Sequence, residues 1–148
     1  MSKCVFCKII KSEIPSFKIW EDKDFLAILD IFPNTKGMTL VMSKRHYDSY
    51  AFEMPDNIYQ KFLLAGKKVA KLLDKKLKTK RTALVMEGMG VNHAHLKLYP
   101  LHGLNKKFSD MESNKKIFFE KYAGYLTTQL GPQANFDKLK KLAEKIRE

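Results

Sequence analysis

Cysteine is scarce in this 148-residue chain: Cys4 and Cys7 are the only two. One such pair is a poor staple for a domain of this length, which excludes a disulfide-built fold and leaves a metal or redox role as the better reading. Long apolar runs are missing too. No segment approaches the ~20 apolar residues that a membrane-spanning helix needs. The start, MSKCVFCKIIKSEIP, has no signal-peptide core, so the expected location is cytoplasmic. Acidic residues are few against basic ones, 16 against 28, for a net charge of +12. That balance favours anionic partners such as nucleotides, nucleic acid or acidic surfaces. A lysine-coated soluble surface is the plain alternative, because net charge speaks to association and not to chemistry. Repeats and long linkers are absent as well.

What is present fits a folded chain: 45% hydrophobic and 30% charged residues, with length for one domain over residues 1–148. Short β-leaning stretches at 17–21 and 25–30 flank the charged Asp22-Lys23-Asp24, a hairpin signal. After the loop signal Pro33-Asn34-Thr35-Lys36-Gly37, MTLVMS at 38–43 reads as a buried strand. From Pro55 and Asp56 a helix starts, with Ile58, Phe62, Ala65, Val69, Leu72 and Leu73 at spacings of three and four. Its other faces carry Lys61, Lys67, Lys68, Lys71, Lys75 and Lys76, read as a solvated surface. Two more strands, 83–87 and 93–99, are joined through Gly88-Met89-Gly90. A last helix is capped by Asn135 and striped by Phe136, Leu139, Leu142, Ala143 and Ile146. Five strands with segregated helices predict an α+β domain on an antiparallel sheet.

The stretch VNHAHLKLYP carries the most chemistry. In a strand, residues 93, 95, 97 and 99 share one face, and Ala94, Leu96 and Leu98 line the other. The pattern is apolar behind and ionisable in front, and Pro100 ends it. Imidazoles so displayed can serve as nucleophile, acid–base group or metal ligand near neutral pH.

The first two-thirds of the chain resembles the histidine-triad nucleotide-binding (HIT) family at many ordered landmarks. These are the C-x-x-C pair, KII…EIPS, WED, LAILDIFP, G-x-TLV, KRH, and VNHAHLKLYP where the family places an H-x-H-x-H row. Residues 1–101 match closely; 102–148 form a C-terminal extension. The resemblance implies a HIT-like fold with a five-stranded antiparallel sheet and flanking helices, usually a homodimer. It also implies cleavage at the α-phosphate of purine nucleotide conjugates through a covalent nucleotidyl-histidine. By position, His95 is the nucleophile and His93 the first member of the row. Lys97 stands where the third histidine belongs, so this chain is an H-x-H-x-K variant.

Lysine keeps positive charge and donors on the phosphate side but is a poorer acid than histidine near neutral pH, given its ordinary pKa of about 10.4. His102, in YPLHG, is a candidate for the missing imidazole, against an exposed loop histidine. The usual Gly-Gln-Ser or Gly-Gln-Thr before the row is replaced by GMGVN, in which Gly88 and Gly90 leave room for backbone amides to approach a phosphate and Asn92 offers one side-chain donor, against a plain turn. Asp30 is the ribose candidate, against a loop-capping aspartate. Phe6, Ile9, Ile28 and Ile31 match residues that sandwich the base, against plain core. Zinc-containing relatives resemble the set Cys4, Cys7, His46 and His93, which implies a structural zinc. The competing class is a noncatalytic nucleotide-binding or sensing protein. Nucleic-acid processing is not favoured, because no basic tail or zinc-finger appendage is evident.

Overall fold

The computed structural model describes residues 3–147. The chain divides into two units, Met1–Lys107 and Phe108–Glu148. The first holds a five-stranded sheet with strand order β1-β2-β3-β5-β4, every neighbouring pair antiparallel. Its elements are α1 (Val5–Ile10), β1 (Lys18–Glu21), β2 (Phe25–Leu29), β3 (Thr39–Ser43), α2 (Asp56–Leu77), β4 (Thr82–Val85) and β5 (His95–Pro100), with a short 3-10 turn at Ala51–Glu53. The five strands and the antiparallel sheet agree with the sequence pattern.

Local chemistry explains the turns. Asp22 Oδ1 accepts from the backbone N–H groups of Asp24 and Phe25 at 2.9 and 2.8 Å, closing the β1–β2 hairpin. The Pro55 carbonyl takes the N–H groups of Ile58 and Tyr59, both at 2.9 Å, to start α2. That helix ends at Lys78 in a left-handed conformation, φ 57°, where glycine is more usual.

Two apolar layers cover the two faces of the sheet. Behind, Phe62, Ala65, Val69 and Leu73 of α2 pack on Phe25, Ala27, Val41, Leu96 and Leu98. Leu72, expected in the same stripe, is only half-buried. The six lysines on the other faces of α2 are exposed, as a solvated surface requires. Each fully buried Phe, Val or Leu here is worth ~1.5–3 kcal/mol relative to exposure. In front, Phe6 of α1 lies with Leu26, Ile28, Leu40 and Met42, and Cys4, Ile9, Ile10 and Val91 rest against them.

Gly66 brings α2 close to β5. A Cβ there would lie 2.5 Å from Leu96 Cδ1 and 3.3 Å from Leu84 Cδ1. The substitution Gly66→Val is expected to destabilise the unit by ~1–3 kcal/mol through overpacking. A thermal melt checks this; an unchanged or higher midpoint would mean the helix can lift off the sheet without cost.

Three differences from the sequence pattern bear on function. α1 was not anticipated. β4 stops at Val85, short of Glu87. β5 begins at His95 and not at His93, because the backbone bends just before it: His93 N–H donates to Val91 O and Ala94 N–H to Tyr47 O, each at 2.8 Å.

The second unit contains α3 (Phe136–Arg147), capped as expected: Asn135 Oδ1 accepts from Lys138 N–H at 3.0 Å. No described residue of α3 is buried, so Phe136, Leu139, Leu142 and Ile146 stay exposed. Among the described residues no helix is long and apolar enough to cross a membrane.

Candidate active site and metal centre

Alternation along β5 sends Leu96 and Leu98 into the rear core and His95, Lys97 and Tyr99 to the front. Register fixes their neighbours. Met42 lies opposite His95, and Leu40 and Val85 flank Lys97. His95 is 4% exposed, and the Phe6 ring meets it edge-on with centroids 5.1 Å apart. Its Nδ1 lies 2.7 Å from the His93 carbonyl. That acceptor holds the proton on Nδ1 and leaves the lone pair on Nε2. Burial pushes the ring pKa below the ordinary histidine value, against the raising effect of this hydrogen bond. Lys97 adds to the lowering, while Glu87 and Asp30 oppose it. A buried, neutral imidazole with a fixed tautomer can attack an electrophile.

His93, fully buried, is turned the other way. Its Nε2–H donates to the Ser43 carbonyl at 2.7 Å, so the Nδ1 lone pair faces the cysteines, 3.4 Å from Cys4 Sγ and 3.6 Å from Cys7 Sγ. Burial again lowers its pKa, outweighing the Ser43 bond. His46, on the loop after β3, sets Nδ1 3.4 Å from Cys7 Sγ and Nε2 3.8 Å from Asp48 Oδ1. The ligand atoms of Cys4, Cys7, His46 and His93 all lie within 4.8 Å of one another. Zn–S and Zn–N bonds at tetrahedral angles put neighbouring S and N atoms ~3.5 Å apart, so the four residues fit a zinc ion. Both histidines turn Nδ1 to the cysteines, and His93 anchors Nε2 on the Ser43 carbonyl as metal-bound imidazoles do.

The remaining candidates fall into two groups. Phe6, Ile9 and Ile28 share the front apolar cluster beside His95. Asp30, just past β2, accepts from Phe32 N–H at 2.8 Å, which is a loop cap. A carboxylate has four lone-pair sites, so this bond leaves it able to accept from a ligand. Lys97 Nζ lies 2.6 Å from Glu87 Oε1. Ile31 sits apart from the cluster, 68% exposed. His102 lies beyond the opposite end of β5 from His95 and donates from Nε2 to the Lys36 carbonyl at 2.8 Å.

Asn92 braces a loop, accepting from Ser49 N–H at 2.9 Å and donating to Asp48 at 3.2 Å. Gly88, at φ +71°, packs against Ser49, whereas a Cβ on Gly90 would meet open space. A hollow lined by Cys7, Ile10, Lys11, Lys44 and His46 opens beside the Cys/His cluster; His95 does not line it. Glu87 is the site residue the sequence pattern does not single out. Its pairing with Lys97 depends on the β4–β5 register, which only the fold reveals.

The HIT domain family model matches residues 11–103. An uncharacterized HIT-like protein of Methanocaldococcus jannaschii is 42% identical over 102 residues, 66% of this chain and 78% of its own. The adenosine 5'-monophosphoramidase of Saccharomyces cerevisiae is 41% identical over 103 residues, 66% of this chain and 61% of its own. A crystal structure from Streptococcus mutans superposes with a TM-score of 0.69 at 34% identity, covering 99% of this chain and 85% of that one.

Proposed function

The chain belongs to the HIT domain family, and from that premise we propose that it is a nucleotide-binding hydrolase or nucleotidyl transferase with His95 as its nucleophile. The substrate is a purine nucleotide conjugate, attacked at the α-phosphate to form a nucleotidyl-His95 that water resolves. One observation carries this reading: His95 Nδ1 is held 2.7 Å from the His93 carbonyl, which frees Nε2 for attack. The monophosphoramidase activity of the yeast relative supports nucleotide chemistry here.

Phe6, Ile9, Ile28 and the exposed Ile31 offer apolar surface to the base, and Asp30 accepts from the ribose hydroxyls. The charge that builds on phosphate oxygens in the transition state meets the Lys97 ammonium and the open backbone at Gly90. His102 has no part in this site, because it lies beyond the far end of β5 from His95 and is held on the Lys36 carbonyl.

Zinc, bound by Cys4, Cys7, His46 and His93, is structural in this proposal. It fixes the segment whose carbonyl orients His95. The resemblance further supports a homodimer, joined so that two sheets become continuous. A monomer mass in analytical ultracentrifugation would remove the dimer.

A second reading is favoured by one contact. The 2.6 Å ion pair to Glu87 occupies the lysine that replaces the third histidine, as in a binding protein that has lost turnover. Release of nucleoside monophosphate from a panel of adenosine and guanosine conjugates separates the two. Tight binding with no release selects the binding protein; neither binding nor release overturns both.

Asp30→Ala is expected to lower kcat/KM by roughly 10–100-fold, the worth of one or two hydrogen bonds to a carboxylate. Steady-state kinetics check it. An equal effect on a 2',3'-dideoxy substrate would show that the carboxylate acts on the loop and not on ribose.

A further inference from the structure

Lys97 does not stand alone on the front of β5. Its ion pair with Glu87 is largely sheltered, the two side chains being 20% and 14% exposed. Val85 lies opposite Lys97, and the antiparallel continuation of the chain past β4 runs toward the His95 end of β5. Glu87 therefore meets Lys97 on the side nearer the nucleophile. An ammonium held this way presents its charge at a fixed place, and lysine is in general a poorer acid than histidine near neutral pH.

Leaving groups differ in which of the two they need. In a phosphoanhydride, His95 Nε2 bonds to the α-phosphorus while the bond to the bridging oxygen breaks. The electron pair departs on that oxygen, and the new anion meets the Lys97 ammonium; no proton has to move. Water then attacks the phosphorus, the P–N bond breaks, the pair returns to Nε2, and the proton of the water goes to solvent. In a phosphoramidate, the bond that breaks first is to an amine nitrogen, which must gain a proton to leave. A histidine in the third place donates near neutral pH. Here a lysine, the poorer acid, stands in that place.

We propose that the Lys97–Glu87 pair makes this site select phosphoanhydride conjugates over phosphoramidates, with Glu87 as a positioning residue that acts through Lys97. The inference rests on the reading of His95 as nucleophile. It sets this chain apart from the yeast relative, named for a monophosphoramidase activity.

The test compares kcat/KM for a diadenosine polyphosphate and for adenosine 5'-phosphoramidate, with intact-mass detection of the nucleotidyl adduct. Wild type is expected to favour the anhydride by about 10²-fold, the scale of one general acid. Lys97→His should erase most of that ratio. Glu87→Gln should move it the same way, and Glu87→Asp should keep it. A merely structural defect would lower both substrates together and leave the ratio alone. Equal or faster turnover of the phosphoramidate by wild type overturns the inference, as does a ratio unmoved by Lys97→His. If His95 forms its adduct while the ratio is flat, only the inference falls. If no adduct forms from either substrate, the reading of His95 falls and takes the inference with it.

Discussion

Replacing His95 by alanine is expected to lower turnover of a nucleotide conjugate by on the order of 10⁴-fold or more, while nucleotide affinity changes little. The size follows from the role. If Nε2 forms the bond to phosphorus, its removal deletes the covalent route, and only binding and charge stabilisation remain. Affinity should hold, because the apolar wall of Phe6, Ile9 and Ile28 and the Asp30 carboxylate lie on other elements. Alanine leaves a gap beside Phe6, whose ring centroid is 5.1 Å from that of His95. His95→Gln fills part of the gap and should be just as inactive. Turnover kinetics beside nucleotide titration check both variants. A loss of less than tenfold would mean that another group attacks.

Cys7→Ser is expected to abolish stoichiometric zinc and to lower the melting midpoint by roughly 15 °C or more. Cys7 Sγ is the hub of the cluster, within reach of both His46 and His93. A metal bound to the native state at 1,000 times its Kd stabilises by ~4 kcal/mol. In a domain near 100 residues each kcal/mol shifts the midpoint by about 4–8 °C. The same variant should lower kcat by about 10–100-fold, more than it changes KM. The reason is mechanical. His93 offers Nδ1 to the cluster and its backbone carbonyl to His95, so loss of a metal bound there would loosen the acceptor that sets the tautomer of His95. Metal analysis of chelator-free protein, calorimetry and kinetics read the three effects. Wild-type protein without zinc, and with the same midpoint as Cys7→Ser, would remove the metal centre from the account.

The residues that carry the fold differ in how plainly they announce it. The α2 stripe of Phe62, Ala65, Val69 and Leu73 is legible because the helix is long enough to repeat its period. MTLVMS is legible because every residue from Thr39 to Ser43 is buried, so the whole run must be compatible with a core. α1 is not legible: six residues give Phe6 and Ile9 too little period to tell a helix from a strand or a loop.

His93 shows a different limit. Alternation places it on the same face as His95, and the Phe6 ring does meet both imidazoles, but the backbone bends before β5 and His93 precedes the strand, with its ring held between Ser43 and the cysteines. Alternation cannot report where a strand begins. Glu87 escapes notice because sequence spacing does not encode which residue of β4 or its extension meets Lys97. Asn135 and α3 are legible from capping and periodicity, whereas the exposure of that helix's apolar stripe is not.

The central claim is that His95 Nε2 becomes bonded to phosphorus during turnover. Rapid acid-free quenching of the protein with a nucleotide conjugate, followed by intact-mass and peptide mass spectrometry, tests it most directly. The expected result is one nucleotidyl group per chain, mapped to His95 and absent from His95→Ala. A protein that turns over the conjugate with the adduct on another residue, or at an unchanged rate in His95→Ala, would contradict it.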